Sequence, residues 1–381
     1  MRIKKYQILL IMLLNLMGRY CCYASGDGLI DPLDKITRVI CIGLANQKTE
    51  QVKAFVRTCG KSALVDDGKY ERGYTFPDSV FFASFLERIR EHLNAGVHEK
   101  VLDLGCGNGS TTMLIALTGA KAFGIDLYLG WEDTDLIMQK FTECKELAQI
   151  LHPERTFACA LKGGIDATKL LETGPSYALA RDYTSAYLGS FLHMFDPATA
   201  KKTLKGLSHF LQFGGIVYAS VDAVGIEPQA LETYDAAKAR GKPFPSVIST
   251  NSMGTLEHRD GKTIFIKTFP GSMYFSENVD VEGNAQFPCR VRSYNYILVN
   301  DPDVLQAAYP HRKFQKGDRV GAHLNLGVVS VTECFYTMDM IRFVFADDWN
   351  LQIFGRTLKG EFTPEPNDRD TAHFYIVAQK K

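Results

Sequence analysis

The chain has 381 residues, 46% of them apolar and 23% charged, and its 43 basic side chains balance 43 acidic ones. That is enough apolar material to bury a sizeable core, in one large domain or a domain with an elaborate insertion. No lysine or arginine cluster appears beyond Arg2, Lys4 and Lys5, which disfavours a nucleic-acid substrate, since that calls for a basic stripe.

The N-terminus opens with this basic group, followed by an apolar run at 8–17 that is too short to span a bilayer. Cys22-Tyr23-Ala24 resembles a small-residue cleavage signal. Residues 1–25 are therefore expected to be a secretory signal peptide, which makes the protein exported, either periplasmic or secreted; the alternative is a cytoplasmic protein with an amphiphilic start. Arg19 and Tyr20 ahead of Cys21 spoil a lipoprotein box. The cysteines left after cleavage, at 41, 59, 106, 144, 159, 289 and 334, show neither metal-site nor disulfide spacing. Residues 26–100 are expected to supply lead-in helices, one of them at 79–93.

The strongest signal begins at Val101. An apolar strand ends in Asp103 and gives way to Gly105, Gly107 and Gly109 at alternate positions. Glycine permits left-handed turns there and lets a ligand approach without meeting a Cβ atom. Residues 110–117 read as a helix whose first N–H groups face the loop, and 121–126 as a second strand closing on Asp126. A dinucleotide loop of the form G-x-G-x-x-G would want glycine at Ser110, and a P-loop would want a lysine that is absent. The stretch resembles motif I of the class I S-adenosylmethionine-dependent methyltransferases: apolar strand, D-x-G-x-G-x-G, helix, strand, Asp.

That resemblance implies a Rossmann-like α/β fold, with a seven-stranded, mostly parallel sheet, helices on both faces and a C-terminal antiparallel hairpin. It also implies S-adenosyl-L-methionine as cofactor. Asp126 is placed to accept from ribose hydroxyls, and Asp103 to order the loop or a water near the methionine moiety. Residues 156–160 read as the third strand. Gly164-Ile165-Asp166-Ala167 resembles the family's G-D-A segment, which makes Asp166 an acceptor for the adenine amine; its other reading is a helix N-cap. Residues 183–195 read as the fourth strand and its loop, where Leu192-His193 resembles the family's L-H and makes His193 the candidate base. Asp182 fills the acid position before that strand only with a two-residue bulge. A helix at 198–211 follows, then Gly214-Gly215 as helix C-cap and turn before the fifth strand.

Residues 221–333 are extra to this fold. Alternating runs at 263–269, 273–275, 290–299 and 322–331 make the segment β-rich, and its departure from the carboxyl edge of the sheet makes it a substrate cap. Its aromatics Tyr274, Phe275, Tyr294 and Tyr296 read as the cap's own core. The core then spans 101–220 and 334–381, the latter comprising a helix at 335–345 and strands at 351–358 and 372–379. No D/N-P-P-Y/F motif follows the fourth strand, Phe287-Pro288-Cys289 lies too far downstream to serve as a nucleophile, and no metal cluster is visible. The expected function is methyl transfer to a small-molecule or protein acceptor, without a stable membrane span. A pseudoenzyme that only binds the cofactor and a nicotinamide-dependent oxidoreductase remain the alternatives.

Overall fold

The computed structural model describes residues 32–41, 46–60, 79–126, 134–173, 179–195, 197–226, 228–239, 330–346 and 348–381, with short strands between 254 and 321. The expected signal peptide, the run at 273–275 and Tyr294 lie outside the described residues.

The sheet is built from β1 (Lys100–Leu104), β2 (Lys121–Ile125), β3 (Cys159–Lys162), β4 (Tyr183–Leu188) and β5 (Leu211–Asp222). These strands are parallel where they pair with one another. The C-terminal strands β12 (Trp349–Thr357), β13 (Phe362–Thr363) and β14 (Thr371–Lys380) are antiparallel, and β14 joins the edge of β5. The order is β13-β12-β14-β5-β4-β1-β2-β3, eight strands in a Rossmann-like doubly wound arrangement. The eighth is the two-residue β13, which the sequence pattern does not separate from the turn beside it.

Side-chain alternation along each strand sends successive residues to opposite layers. Tyr218 of β5 and Tyr187 of β4 face one layer with Phe81, Phe82 and Phe85 of the helix Ser79–Asn94, while Val217, Ala219 and Leu188 face the other. In the first layer the Tyr218 ring lies 4.8 Å from Phe85 and 5.3 Å from Phe81; tilted contacts of this kind add about 0.5–1.5 kcal/mol each beyond area burial. The second layer is closed by the helices Pro197–Ser208 and Met338–Phe345. Every residue of β4 is buried, as a central parallel strand covered on both faces requires.

Four boundaries differ from the sequence expectation. β3 starts at Cys159 because Phe157, before it, packs edge-on against Phe141 at 5.6 Å and only from Cys159 does the ladder with β2 begin. The helix after β4 stops at Ser208, and Gly214-Gly215 form a bulge inside β5 instead of a helix cap. Five residues of β5 span what two of β4 span between the Tyr183–Leu211 and Ser185–Ile216 pairs, and Gly214 takes φ +77°. The last helix begins at Met338, with Thr337 as N-cap accepting from Met340 N; Phe335 and Tyr336 stay extended, and Tyr336 bridges Ala223. Asp182 makes no bulge into the site: it lies at the opposite, amino edge, exposed and ion-paired with Lys100.

Between β5 and the return at Ser330–Cys334 the described residues hold a helix, Pro228–Ala239, which the alternation-based reading did not anticipate, and three two-stranded ribbons. The ribbons are β6 (Gly254–Arg259) with β7 (Lys262–Lys267), β8 (Cys289–Ser293) with β11 (Ser330–Cys334), and β9 (Tyr296–Leu298) with β10 (Arg319–Gly321). The segment leaves from Asp222 and comes back beside it: Tyr336 N donates to Asp222 O at 2.8 Å, and Val224 N to Tyr336 O at 2.9 Å.

Candidate cofactor and acceptor site

The order β3-β2-β1-β4-β5 reverses between β1 and β4, and open α/β sheets bind ligands outside the carboxyl ends at such a point. The loop leaving β1 there is the glycine loop. Gly105, Gly107 and Gly109 have φ of +76°, +57° and +79°, where side chains are strained. Two of the three have a second reason to be glycine: a Cβ at Gly105 would collide with the ring of Phe191, and one at Gly109 with Leu161. No atom of the described residues lies within 4 Å of where a Cβ at Gly107 would stand.

Asp126, just past β2, closes this loop: Gly107 N donates to its Oδ2 at 2.8 Å. Its backbone oxygen accepts from Ile165 N at 3.1 Å, tying the β3 exit to the same place. Asp103 lies beneath the loop, 3% exposed, accepting from Thr112 Oγ1 at 2.6 Å. Burial raises its pKa to about 7; the Thr112 hydrogen bond opposes the rise, and the charge of Asp126 adds to it. The two acids therefore feel one another, but only Asp126 has substantial surface. Cys106, between them, is a buried thiol whose pKa is pushed well up by burial and by both carboxylates.

Asp166 is the N-cap of the short helical turn Ala167–Lys169, accepting from Thr168 N at 2.9 Å and Thr168 Oγ1 at 2.6 Å, with Lys169 at 3.4 Å. Burial pushes its pKa up, but the bonds from Thr168 and the charge of Lys169 outweigh this and the net shift is downward. Capping occupies one of its oxygens, Oδ1.

His193 sits on the helical turn Leu192–Met194 after β4, and its Nδ1 is buried without a hydrogen-bond partner among the described residues. The loop that carries it is strained and fastened. Ser190 has φ +51°, and its N donates to Ser220 Oγ of β5 at 2.9 Å. The buried Tyr336 hydroxyl lies 3.1 Å from Leu192 O and 3.3 Å from Phe195 O. Phe191 and Phe195 stack edge-on at 5.0 Å, and the Phe191 ring packs against Gly105 of the glycine loop.

Sequence reasoning missed three participants. Ser110, first residue of the helix after the loop, has a buried hydroxyl with no partner among the described residues. Phe191 was visible only as one apolar residue among several. His373 of β14 places Nδ1 2.8 Å from Asp222 Oδ1 at the end of β5, a pairing that no local pattern announces. A polar cavity lined by Arg90, His152 and Arg155 lies at the amino edge, away from this site; there His152 Nε2 meets Leu117 O at 2.9 Å and Arg90 donates to Ile40 O at 2.7 Å.

No protein-family model and no curated protein matches this chain. Among solved structures it is similar to an S-adenosylmethionine-dependent methyltransferase of Methanosarcina mazei, at 15% identity over 74% of this chain and 92% of that one, TM-score 0.34. It is also similar to one from Clostridium acetobutylicum, at 12% over 79% and 91%, TM-score 0.38. A third similarity is to the glycopeptide N-methyltransferase MtfA in complex with S-adenosylhomocysteine, at 12% over 77% and 86%, TM-score 0.34. At such scores these are resemblances only, and the fold is read from the strand order itself.

Proposed function

We propose that this protein is an S-adenosylmethionine-dependent methyltransferase acting on a small-molecule or protein acceptor. The observation that carries the reading is the glycine loop at the β1–β4 reversal, with Asp126 bonded to it and, at the start of the helix that follows, a Ser110 hydroxyl that has no partner among the described residues. These residues fit the cofactor. No described atom lies within 4 Å of where a Cβ at Gly107 would stand, the Asp126 carboxylate suits a ribose diol, and the buried Ser110 hydroxyl, a polar group of the kind that needs a partner, has none among the described residues.

When bound, the cofactor supplies a methyl group already activated by the sulfonium. The chain's own contribution is positioning. Asp126 and Asp166 hold the nucleoside end, Gly105, Gly107 and Gly109 allow close approach, and Asp103 with Thr112 braces the loop from beneath. Phe191 and His193 line the side from which the acceptor arrives. The segment 221–333, rooted where Asp222 meets Tyr336, is the acceptor-recognising cap. Residues 1–25 direct export, and delivery into a second cell reconciles export with a cytoplasmic cofactor; fusing them to a periplasmic reporter tests this, and a silent reporter refutes it.

Calorimetry on the full chain tests the central reading. S-adenosylmethionine and S-adenosylhomocysteine are expected to bind and NADH not to. Binding of NADH alone would make the protein a nicotinamide enzyme. Binding of the first two without methyl transfer to any cell lysate would make it a pseudoenzyme.

A further inference from the structure

Two histidines stand at the carboxyl edge of the sheet, and they differ in one respect that matters for proton transfer. His193 has a buried Nδ1 with no partner among the described residues. His373 has Nδ1 2.8 Å from Asp222 Oδ1. A base must be held in one tautomer by a third group, as a carboxylate on the far ring nitrogen does. With Asp222 accepting from Nδ1–H, the lone pair of His373 lies on Nε2.

The position suits the role as well. Asp222 is the last residue of β5, directly opposite His373 in the β5–β14 ladder, so both side chains share one face at the carboxyl edge. Ser220, two residues earlier on that face, holds Ser190 of the loop that carries His193. Asp222 is therefore on β5, the strand next to β4, and His373 is one strand further, on β14, roughly 5 and 10 Å across the sheet from β4 at one strand spacing per step. The pair has side chains 14% and 21% exposed, enough to meet a ligand while partly desolvated. It also lies at the root of the segment that leaves after Asp222, where Tyr336 N bonds Asp222 O.

We propose that His373, oriented by Asp222, is the proton acceptor for a hydroxyl-bearing methyl acceptor. This rests on the methyltransferase reading and adds the base and the acceptor class. In the step, the hydroxyl oxygen forms the new bond to the methyl carbon, the carbon–sulfur bond breaks with its electron pair left on sulfur, and the hydroxyl proton passes to Nε2. Asp222 stabilises the imidazolium that results, and the carboxylate keeps its charge.

The test compares wild type, His373→Gln and Asp222→Asn as full chains. It measures S-adenosylhomocysteine affinity, labelling of a cell lysate by methyl-labelled S-adenosylmethionine, and the His373 tautomer by 15N NMR. The expected result is a loss of label of at least about 10²-fold in both variants, the scale of general-base catalysis, with affinity held within twofold. In wild type, His373 is expected as the Nδ1–H form, lost in Asp222→Asn, and the labelled product is expected to carry its methyl on an ether oxygen. A smaller loss of label, an Nε2–H tautomer in wild type, or a labelled amine or ester overturns the proposal while leaving the methyltransferase reading intact. Should His373→Gln fail to fold, Asp222→Asn and the wild-type tautomer decide the question. Absence of both affinity and label in wild type overturns the methyltransferase reading, and this proposal with it.

Discussion

At the amino edge of the sheet Glu99 is buried and answered on several sides; at the carboxyl edge, one strand length away, two buried polar atoms have no partner among the described residues. Glu99 Oε1 has His92 Nδ1 at 2.6 Å and Arg88 Nη2 at 3.6 Å, and its Oε2 accepts from Thr184 Oγ1 at 2.6 Å and Ser185 Oγ at 3.2 Å. Only Nη1 of Arg88 lacks a hydrogen bond in that network among the described residues. At the other edge the Ser110 hydroxyl and His193 Nδ1 have no partner among the described residues, Ser190 is strained, and Asp103 is a buried acid raised to about 7. Polar groups that close on one another hold a fold together. Those left open beside strained backbone are the places to test for a ligand.

The largest effect that would break this contrast is at the amino edge. Glu99→Ala leaves the half-buried Arg88 and His92 without their buried carboxylate and should destabilise by up to about 3–5 kcal/mol, the scale for removing one partner of a buried pair. Urea unfolding measures it, and a loss under about 1 kcal/mol would make Glu99 an incidental surface-type pair. Cofactor affinity in the folded fraction should not change.

The two buried acids should also respond to pH with opposite signs. Burial pushes Glu99 up, but the hydrogen bond from His92, the charge of Arg88 and the bond from Thr184 outweigh it, so its pKa is lowered. Its contribution is present above the unfolded pKa and is lost as pH falls through the lower folded value. Asp103 is raised from 3.8 to about 7, so the native state holds the proton more tightly and stability is lost as pH rises through that interval. Asp103→Asn keeps an acceptor for Thr112 without the charge. Its stability relative to wild type should improve between pH 4 and 7, by at most a few kcal/mol at about 1.4 kcal/mol per pH unit. Parallel stability curves for the two proteins would refute the shift.

A smaller effect tests the cofactor rim. Asp126→Ala should weaken S-adenosylhomocysteine binding by about 1–3 kcal/mol, the worth of hydrogen bonds to a charged group. Because Asp126 also holds Gly107 N, Asp126→Asn should recover part of the loss. Unchanged calorimetric affinity in the Ala variant would remove Asp126 from the site.

How much of this could be read from the sequence follows from distance along the chain. The glycine loop was legible because the φ demand at Gly105, Gly107 and Gly109 is local and only glycine meets it cheaply. Asp126 was legible because strand, turn and helix lengths fix its place beside the loop. The partnership of Asp222 with His373 was not, since a register between β5 and a strand at the other end of the chain creates it. Glu99 looked like any polar residue before a strand, because its partners come from β4 and the preceding helix. Gly214-Gly215 were correctly seen as a turn signal but assigned to the wrong element, since a bulge and a helix cap demand the same positive φ.

The smallest effect falls on the strained loop. Ser190 holds φ +51° just after β4, in a region where a side chain costs about 1–2 kcal/mol. Ser190→Gly relieves this strain but adds backbone entropy to the unfolded chain, worth about 0.5–1 kcal/mol, so the net gain in stability should be about 0.5 kcal/mol. The bond from residue 190 N to Ser220 Oγ survives the change, because it uses the backbone. What should suffer is the aim of Phe191 and His193, since glycine lets the loop sample other conformations. A variant slightly more stable by urea unfolding yet slower in methyl transfer would show that this edge trades stability for geometry. A variant both more stable and equally fast would mean that the strain at Ser190 has no role in placing the loop.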